Sequence, residues 1–265
     1  MAAALATRLL DVPGPAPVRR ALMVAVAELR IEVGRAAGDA GLYRHALYHY
    51  AHALELARQA DDAYCQATAL QLAGFTSIED GHPDDALKML QAAQVAAWGI
   101  PPDDQRAIMV AVSGRAAVQA CALANSATAL AQLGAHTEAA RTVASGRDLW
   151  TPTPADPFGD LDRPAAQIEL HRGRLDNAET LAVASLRRWE GGRHYSRTLT
   201  GIIRATIHVT AGERQGLQLA HNAITDTARL SVLARKQLLP LAEALEARPS
   251  TDARDLARMA RQAAA

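Results

Sequence analysis

The chain has 265 residues, of which 49% are hydrophobic and only 4% aromatic, so its apolar content is largely alanine and leucine. This composition favours closely packed helices and is poor in the residues that form strands. Lys plus Arg and Asp plus Glu each number 28, which gives a formal net charge of +0 and no basic excess to neutralise phosphates. We therefore expect an all-α protein that does not bind nucleic acid directly.

The cysteines and the N-terminus bear on the cellular compartment. Cys65 and Cys121 are the only cysteines, which is too few for a disulfide framework and fits a reducing interior. Met1–Leu10 is too short and too interrupted by arginine to be a signal peptide. No apolar run approaches the length that crosses a membrane. We expect a cytoplasmic protein with no membrane contact.

The first predicted elements are a linker and two helices. Residues 1–17 contain a short helical stretch ending at Asp11 and then VPGPAP, whose three prolines stop any helix. Apolar residues recur at intervals of three and four from Val18, which predicts a helix over 18–37. A second helix is predicted over 42–60.

Glycines mark the point where these two helices turn. Gly34 and Gly41 are seven residues apart, and Gly41 is followed at five, nine and twelve by Ala46, Tyr50 and Ala53. In a helical hairpin the first glycine lets the helices approach closely and the second turns the chain, while the three later residues pack back. This order resembles the signature of a tetratricopeptide repeat.

The same pattern returns in the second pair of helices. Gly74 and Gly81 are again seven residues apart, and Ala86, Leu90 and Ala93 occupy the same three later positions. The turn glycines of the two pairs are 40 residues apart, close to the length of a tetratricopeptide-like hairpin. Two independent matches indicate a repeat.

Three later turn glycines keep the repeat in phase although the signature weakens. Steps of 53, 39 and 39 residues lead to Gly134, Gly173 and Gly212. The first step contains an insertion, 100–114, that we predict as an extra short helix or a longer first helix. Small residues persist where helices must touch. The residues seven before and five after the three glycines are Ala127 and Ala139, Ala166 and Ala178, and Ala205 and Leu217.

A proline-rich loop and two C-terminal helices complete the chain. Residues 150–164 (WTPTPADPFGDLDRP) are too polar for a core, and we expect this loop to border the binding face as a candidate lid. Deleting Thr153–Phe158 should then weaken ligand binding. Residues 231–248 and 251–265 predict two helices, with Pro240 breaking or kinking the first and the second acting as a cap.

Together these elements predict an all-α, right-handed α-solenoid of about five tetratricopeptide-like hairpins plus a C-terminal capping helix. We expect it to form a single repeat domain over 18–265. The predicted hairpins cover about 18–60, 63–98, 103–150, 162–190 and 194–229, followed by C-terminal helices over 231–264.

A narrower resemblance rests on two quoted segments. VRRALMVAVAELRIEVGRAAGDAGLYRHALYHYAHALELARQADD and, near the end, ARLSVLARKQLLPLAEALEA resemble the tetratricopeptide-like C-terminal region of actinobacterial Xre-type helix-turn-helix regulators. The likeness spans about residues 5–248. Members of that family carry a DNA-binding head, and their helical array is taken to sense a ligand and mediate dimerisation. The sequence begins in the linker-like region, so we expect an isolated sensor half or a relative without DNA binding.

A search for catalytic and metal-binding motifs returns little. There is no Gly-rich phosphate loop, nucleophile elbow, paired zinc motif or dinucleotide fingerprint. The Asp-Asp pairs at 61–62, 84–85 and 103–104 stand at predicted helix starts, where carboxylates cap amides. The histidine stripe, His45, His49 and His52, shares one helical face, but no Cys or carboxylate completes a ligand set. We predict no metal and no cofactor.

The candidate ligand site is the concave groove. In a right-handed stack the first helix of each hairpin faces this groove, and its residues about thirteen, ten and six before the turn glycine point inward. Amides, hydroxyls, single charges and one Phe suit a small molecule, a peptide or a partner protein, with Arg35 and Arg163 as carboxylate contacts. The alternative is that these are solvated surface residues. The candidates are Arg35, Gln71, Phe75, Asn125, Arg163, Gln167, His171 and Thr206.

The sequence thus predicts a non-enzymatic binding or regulatory module, which the family resemblance links to transcriptional regulation or specialised metabolism. We expect a homodimer. One alternative is a dimeric protein–protein interaction scaffold with no small ligand. Another is an enzyme built on this scaffold, for which His171, Cys121 and Asp160 would be the first candidates for the reacting groups.

Overall fold

The computed structural model describes residues 6–101, 104, 114–150, 160–189 and 194–265. Within these residues the chain forms thirteen α-helices and one short 3₁₀ helix, and it contains no strand. Successive helices pack as hairpins. The predicted all-α class of helical hairpins is therefore confirmed. Residues 105–113 of the predicted insertion, Asp103 and residues 151–159 of the predicted lid lie outside the described residues.

The helix bounds follow the sequence pattern closely. The 3₁₀ helix is Leu9–Asp11, and α1 begins at Ala16, within the proline-rich segment VPGPAP. Pro17 stands in the first turn of α1, where its missing N–H costs no helical hydrogen bond, so the prediction that all three prolines stop a helix is wrong for Pro17. Helix α5 begins at Arg115, after Gly114 in a left-handed backbone conformation with φ 84°. The α-helices are α1 Ala16–Asp39, α2 Tyr43–Gln59, α3 Ala63–Glu79, α4 Pro83–Ala97, α5 Arg115–Gln132, α6 His136–Leu149, α7 Asp162–His171, α8 Leu175–Arg188, α9 His194–Thr210, α10 Gln215–Thr227, α11 Val232–Lys236, α12 Leu239–Glu246 and α13 Thr251–Ala264.

The helices fall into two compact units. Unit 1 takes the described residues of 1–38 and 42–159, and unit 2 takes those of 39–41 and 160–265. Unit 1 thus contains the first six α-helices, apart from the end of α1, and unit 2 contains α7 to α13. No helix of the described residues is both long and apolar enough to cross a membrane. The single repeat domain over 18–265 stays a prediction.

All five predicted turn glycines share one backbone geometry. Their φ angles are 76° at Gly41, 83° at Gly81, 80° at Gly134, 71° at Gly173 and 77° at Gly212. In each turn the N–H of the following residue donates to the carbonyl five residues back, at 2.8 to 3.0 Å. These are Schellman motifs, which favour glycine because a Cβ is strained at positive φ. The prediction that these glycines turn the chain is confirmed.

The other two signature glycines allow close helix packing. A Cβ at Gly34 would lie 2.7 Å from Cε1 of Tyr50, and a Cβ at Gly74 would lie 2.6 Å from Cγ of Leu90. Both distances are shorter than carbon atoms tolerate, so only glycine fits without a shift of the partner side chain. Tyr50 and Leu90 occupy the same repeat position, and both are buried.

The fifth hairpin departs from the predicted register by one residue. The close contact is made by Gly216, where a Cβ would lie 2.8 Å from the backbone nitrogen of Val209. Leu217, which the spacing assigned to this position, is only half-buried. Gly216 follows its turn glycine, Gly212, by four residues, whereas the corresponding buried alanines of the four earlier hairpins follow theirs by five residues. The buried residues of α10 are consequently Gly216, Ala220, Ala223, Ile224 and Thr227.

Unit 2 has an alanine- and leucine-rich core around α9. One apolar cluster joins α9 and α10 to α12 and α13, and a second joins α9 to α7 and α8. Pro240 stands in the first turn of α12, where its missing N–H costs no helical hydrogen bond. The predicted helix over 231–248 is accordingly two helices, α11 and α12. This arrangement brings α7, α9 and the start of α12 around one cleft.

Candidate functional site

A cleft in unit 2 is lined by three segments of chain. Its cavity volume is about 40 Å³. Four of the eight predicted ligand residues line it together, namely Arg163, Gln167, His171 and Thr206. The full lining is Arg163, Gln167, Leu170 and His171 from α7; Leu199, Ile202, Ile203 and Thr206 from α9; Gln237, which follows α11; and Pro240 from α12.

Helix α7 supplies the polar side of this cleft. Arg163, Gln167 and His171 are four residues apart, so they follow one face of the helix over roughly 12 Å. Arg163 and Gln167 are half-buried, and His171 is exposed at the C-terminal end of the helix. The polar groups therefore form a line that runs from a guanidinium through an amide to an imidazole.

Helix α9 supplies the apolar side. Ile202 and Ile203 are buried at 3% and 9% exposure, and Leu199 is half-buried. Thr206 is also buried, and its Oγ1 donates to the carbonyl of Ile202 at 2.8 Å. Because this bond uses the hydroxyl proton, Thr206 offers the cleft only an acceptor and a methyl group. A ligand in the cleft would thus meet polar groups on one side and an aliphatic surface on the other.

Asp160 fixes the start of α7, and with it the position of Arg163. Its Oδ1 accepts the backbone N–H groups of Asp162 at 3.1 Å and of Arg163 at 3.0 Å. Two orphan amides at the helix start are thereby satisfied. Asp160 is a candidate reacting group in the enzyme alternative predicted from the sequence. In the structure its Oδ1 caps the start of α7.

The second oxygen of Asp160 ties α7 to the next hairpin. Oδ2 accepts from Ser185 Oγ at 2.6 Å and from Trp189 Nε1 at 3.1 Å. Ser185 is fully buried, and its Oγ lies 2.8 Å from Oγ1 of Thr200 on α9. Sequence reasoning missed this network because its members are 15 to 29 residues apart. The one local signal was a carboxylate just ahead of a predicted helix start.

A second buried polar cluster joins α8, α9 and the turn after α9. His208 is 6% exposed, and its Nδ1 lies 2.7 Å from Oε2 of Glu213. Its Nε2 lies 3.2 Å from Oε1 of Glu179, without the alignment of a hydrogen bond. Arg204 Nε donates to that same Glu179 oxygen at 2.9 Å. Hydrogen bonds from Gln215 and from His208 lower the pKa of Glu213.

The other four predicted ligand residues belong to unit 1. Arg35 on α1 is half-buried, and its Nε donates to Oε2 of Glu32 at 3.3 Å. Gln71 on α3 is half-buried, and its enclosed Oε1 has no hydrogen-bond partner in the part of the chain that the structure describes. Phe75 on α3 and Asn125 on α5 are also half-buried. The predicted set is therefore divided between the two units, and its ligand role in unit 1 stays a prediction.

The histidine stripe is engaged with its neighbours. Nδ1 of His49 lies 3.4 Å from Nη1 of Arg30, a buried arginine that also donates to Thr7 Oγ1 at 2.9 Å. Burial, and then the charge of Arg30, lower the pKa of His49. The ring of Tyr48 makes edge contacts with His49 and His52 at centroid distances of 5.5 and 4.4 Å. Among the described residues no group of three or more His, Cys, Asp or Glu side chains is arranged to hold a metal ion.

An Asp-Asp pair and the two cysteines, which the sequence analysis considered for chemistry, have structural roles. Asp62 caps α3 by accepting the N–H of Cys65 at 2.9 Å, as predicted for a helix start. Cys65 is buried in the main apolar cluster of unit 1, and Cys121 packs against that cluster. The two do not form a disulfide bond with each other. The cluster explains these cysteines as small core residues.

Several solved structures resemble this chain. The solved structure of the TPR domain of P58(IPK) aligns with 92% of this chain and 82% of its own, at 11% identity and a TM-score of 0.25. The all-α hairpin fold is described by the Schellman turns and glycine contacts of this chain, and so low a TM-score adds no argument to it.

No protein-family model matches the chain, and no curated protein matches it. The narrower resemblance to Xre-type regulators therefore gains no support from these comparisons.

Proposed function

We propose that this protein is a binding module that holds a short segment of a partner protein in the cleft of unit 2. The observation that carries the proposal is the two-sided lining, with three polar side chains in line along α7 opposite the aliphatic residues of α9. An extended peptide has the same character, since its backbone is polar and its side chains alternate in direction.

The individual groups suit such a segment. The amide of Gln167 has both a donor and an acceptor, which is what one peptide unit requires. The polar line along α7, roughly 12 Å, corresponds to three or four extended residues at about 3.3 Å each. Ile202 and Ile203 would bury one aliphatic side chain of the segment. The small cavity volume of about 40 Å³ also favours a second candidate, a short small-molecule ligand with the same two sides.

The regulatory and alternative roles remain proposals of lower rank. A link to transcriptional regulation or specialised metabolism rests on the sequence resemblance alone. The homodimeric scaffold and the enzyme stay predictions, and the engagement of both Asp160 oxygens weakens the enzymatic one.

The test is selection of peptides from a random displayed library on the purified chain, followed by calorimetry and methyl NMR on the selected peptides. We expect the methyl signals of Ile202 and Ile203 to shift. Gln167→Ala should weaken binding about fivefold to tenfold, because one hydrogen bond contributes about 1 kcal/mol. The matched control is Gln218→Ala, at an exposed amide on α10.

Two results would contradict the proposal. One is that no peptide is selected. The other is that the selected peptides shift methyl groups elsewhere and bind Gln167→Ala as tightly as the parent chain.

A further inference from the structure

The cleft of unit 2 carries positive charge without a carboxylate of its own. None of its ten lining residues is acidic. Among the described residues, no carboxylate lies within ion-pair distance of the Arg163 guanidinium. By contrast, Arg172 pairs with Glu169 at 2.6 Å, and Arg204 pairs with Glu179 at 2.9 Å. The guanidinium at the cleft is thus available to a ligand, whereas neighbouring arginines of unit 2 are paired within the fold.

Asp160, three residues before Arg163 in the chain, does not occupy this role. Its two oxygens accept four hydrogen bonds, two from the backbone at the start of α7 and two from Ser185 and Trp189. It is not part of the cleft lining. Its carboxylate therefore positions the backbone of Arg163 and leaves the guanidinium to an outside anion.

The volume of the cleft limits what can accompany that anion. An apolar cavity that holds benzene measures about 150 Å³ in the same kind of volume. The cleft measures about 40 Å³, which is room for roughly three water molecules. A carboxylate or an isopropyl group fits this space, and an aromatic ring does not. The aliphatic wall of Leu199, Ile202 and Ile203 favours the isopropyl group.

We propose that the cleft recognises a free carboxylate borne on a short branched aliphatic group, with Arg163 as the partner of the carboxylate. A guanidinium binds a carboxylate through two parallel hydrogen bonds, which gives both strength and direction. The same chemistry occurs in a free branched-chain acid and in the last residue of a peptide that ends in Leu, Ile or Val. This inference rests on the proposed function and specifies its ligand.

The experiment titrates the chain with isocaproate and with isocaproamide, which has the same shape but no charge. Methyl NMR of Ile202 and Ile203 provides the readout. We expect the acid to bind with a Kd in the millimolar range and the amide at least about tenfold more weakly. Arg163→Gln should remove this difference. Arg187→Gln, which deletes an exposed charge at the end of α8, should preserve it.

A second arm separates the two sources of the carboxylate. It compares an acetylated tripeptide ending in Leu with the same peptide amidated at its C-terminus. Tighter binding of the free-carboxylate peptide than of isocaproate would identify a peptide terminus, and the reverse order would identify a free acid.

Three outcomes would overturn the inference. They are equal binding of isocaproate and isocaproamide, no effect of Arg163→Gln on that comparison, and no saturable methyl shift with isocaproate or with the free-carboxylate peptide. If amidated peptides still bind in the cleft, the proposed peptide-binding function stands, but the inference that the cleft recognises a carboxylate is wrong. If neither peptide nor acid binds, both the proposed function and the carboxylate inference are wrong.

Discussion

Asp160 is the residue whose replacement tests the structure most directly. Asp160→Asn keeps the shape of the side chain but replaces one acceptor oxygen with an NH₂ group. Both oxygens face donors, namely two backbone N–H groups on one side and the Ser185 and Trp189 donors on the other. Either orientation of the amide therefore sets a donor against donors and breaks two of the four hydrogen bonds.

The magnitude follows from what those bonds contribute. A hydrogen bond to a charged group contributes about 1.5–3 kcal/mol, and a buried donor left unpaired costs about 1–3 kcal/mol. Ser185 can turn to Thr200 Oγ1, which is 2.8 Å away, so part of the loss is recovered. Trp189 is only 4% exposed, so water cannot readily replace the acceptor of its Nε1–H. We expect the free energy of unfolding of unit 2 to fall by about 2–4 kcal/mol.

The assay is amide hydrogen exchange under native conditions, read separately in α7, α8 and α9. Exchange resolves the two units, whereas a single unfolding curve would merge them. Asp176→Asn is the matched control, because Asp176 is an exposed carboxylate in the first turn of α8. Asp176→Asn should lower the free energy of unfolding of unit 2 by at most about 1 kcal/mol, because it removes a favourable charge near the helix N-terminus. A loss for Asp160→Asn no larger than for the control would refute the assigned network.

Three further predictions concern packing and pH. Gly74→Ala should lower the free energy of unfolding by about 1–3 kcal/mol in urea titrations, because its Cβ would lie 2.6 Å from a leucine of α4. Gly201→Ala should raise it by about 0.5–1 kcal/mol, since no atom lies within 4 Å of that Cβ on α9. Glu213 has a lowered pKa, caused by Gln215 and then His208, so the stability it contributes is present above its ordinary value of 4.5 and lost as the pH falls below it. Glu213→Gln should flatten this acid dependence, and an unchanged pH profile would count against the assignment.

The hairpins could be predicted because their determinants are local. A left-handed backbone at a helix end strongly favours glycine, so Gly41 and Gly81 predict the positions of their turns from the sequence alone. The close approach of α1 and α2 likewise requires Gly34 opposite Tyr50, and those residues stand at a fixed spacing. Each of these features depends on a few residues within one repeat.

The cleft could be predicted only in part. Arg163, Gln167 and Thr206 follow from the repeat spacing, which selects the face of a first helix. Gln237 and Pro240 come from the C-terminal segment, which lacks the repeat signature, so no spacing argument connects them to α7. The bonds of Asp160 to Trp189 depend on how α7 and α8 lie together in space, and pairs so distant in sequence leave no periodic trace.

The shorter spacing from Gly212 to the buried residues of α10 shows that this architecture tolerates a change of register between a turn and the helix that follows it. Gly216, Ala220, Ala223 and Thr227 are spaced by four, three and four residues, as are Ala46, Tyr50, Ala53 and Ala57 in α2. The whole buried set lies one position closer to the turn glycine, and its internal spacing is unchanged. A repeat of this kind can therefore gain or lose one residue between its turn glycine and this buried set during evolution, provided that every contact of the following helix moves together. When helices are exchanged between repeats, they should accordingly be aligned on their buried residues and not on their turn glycines.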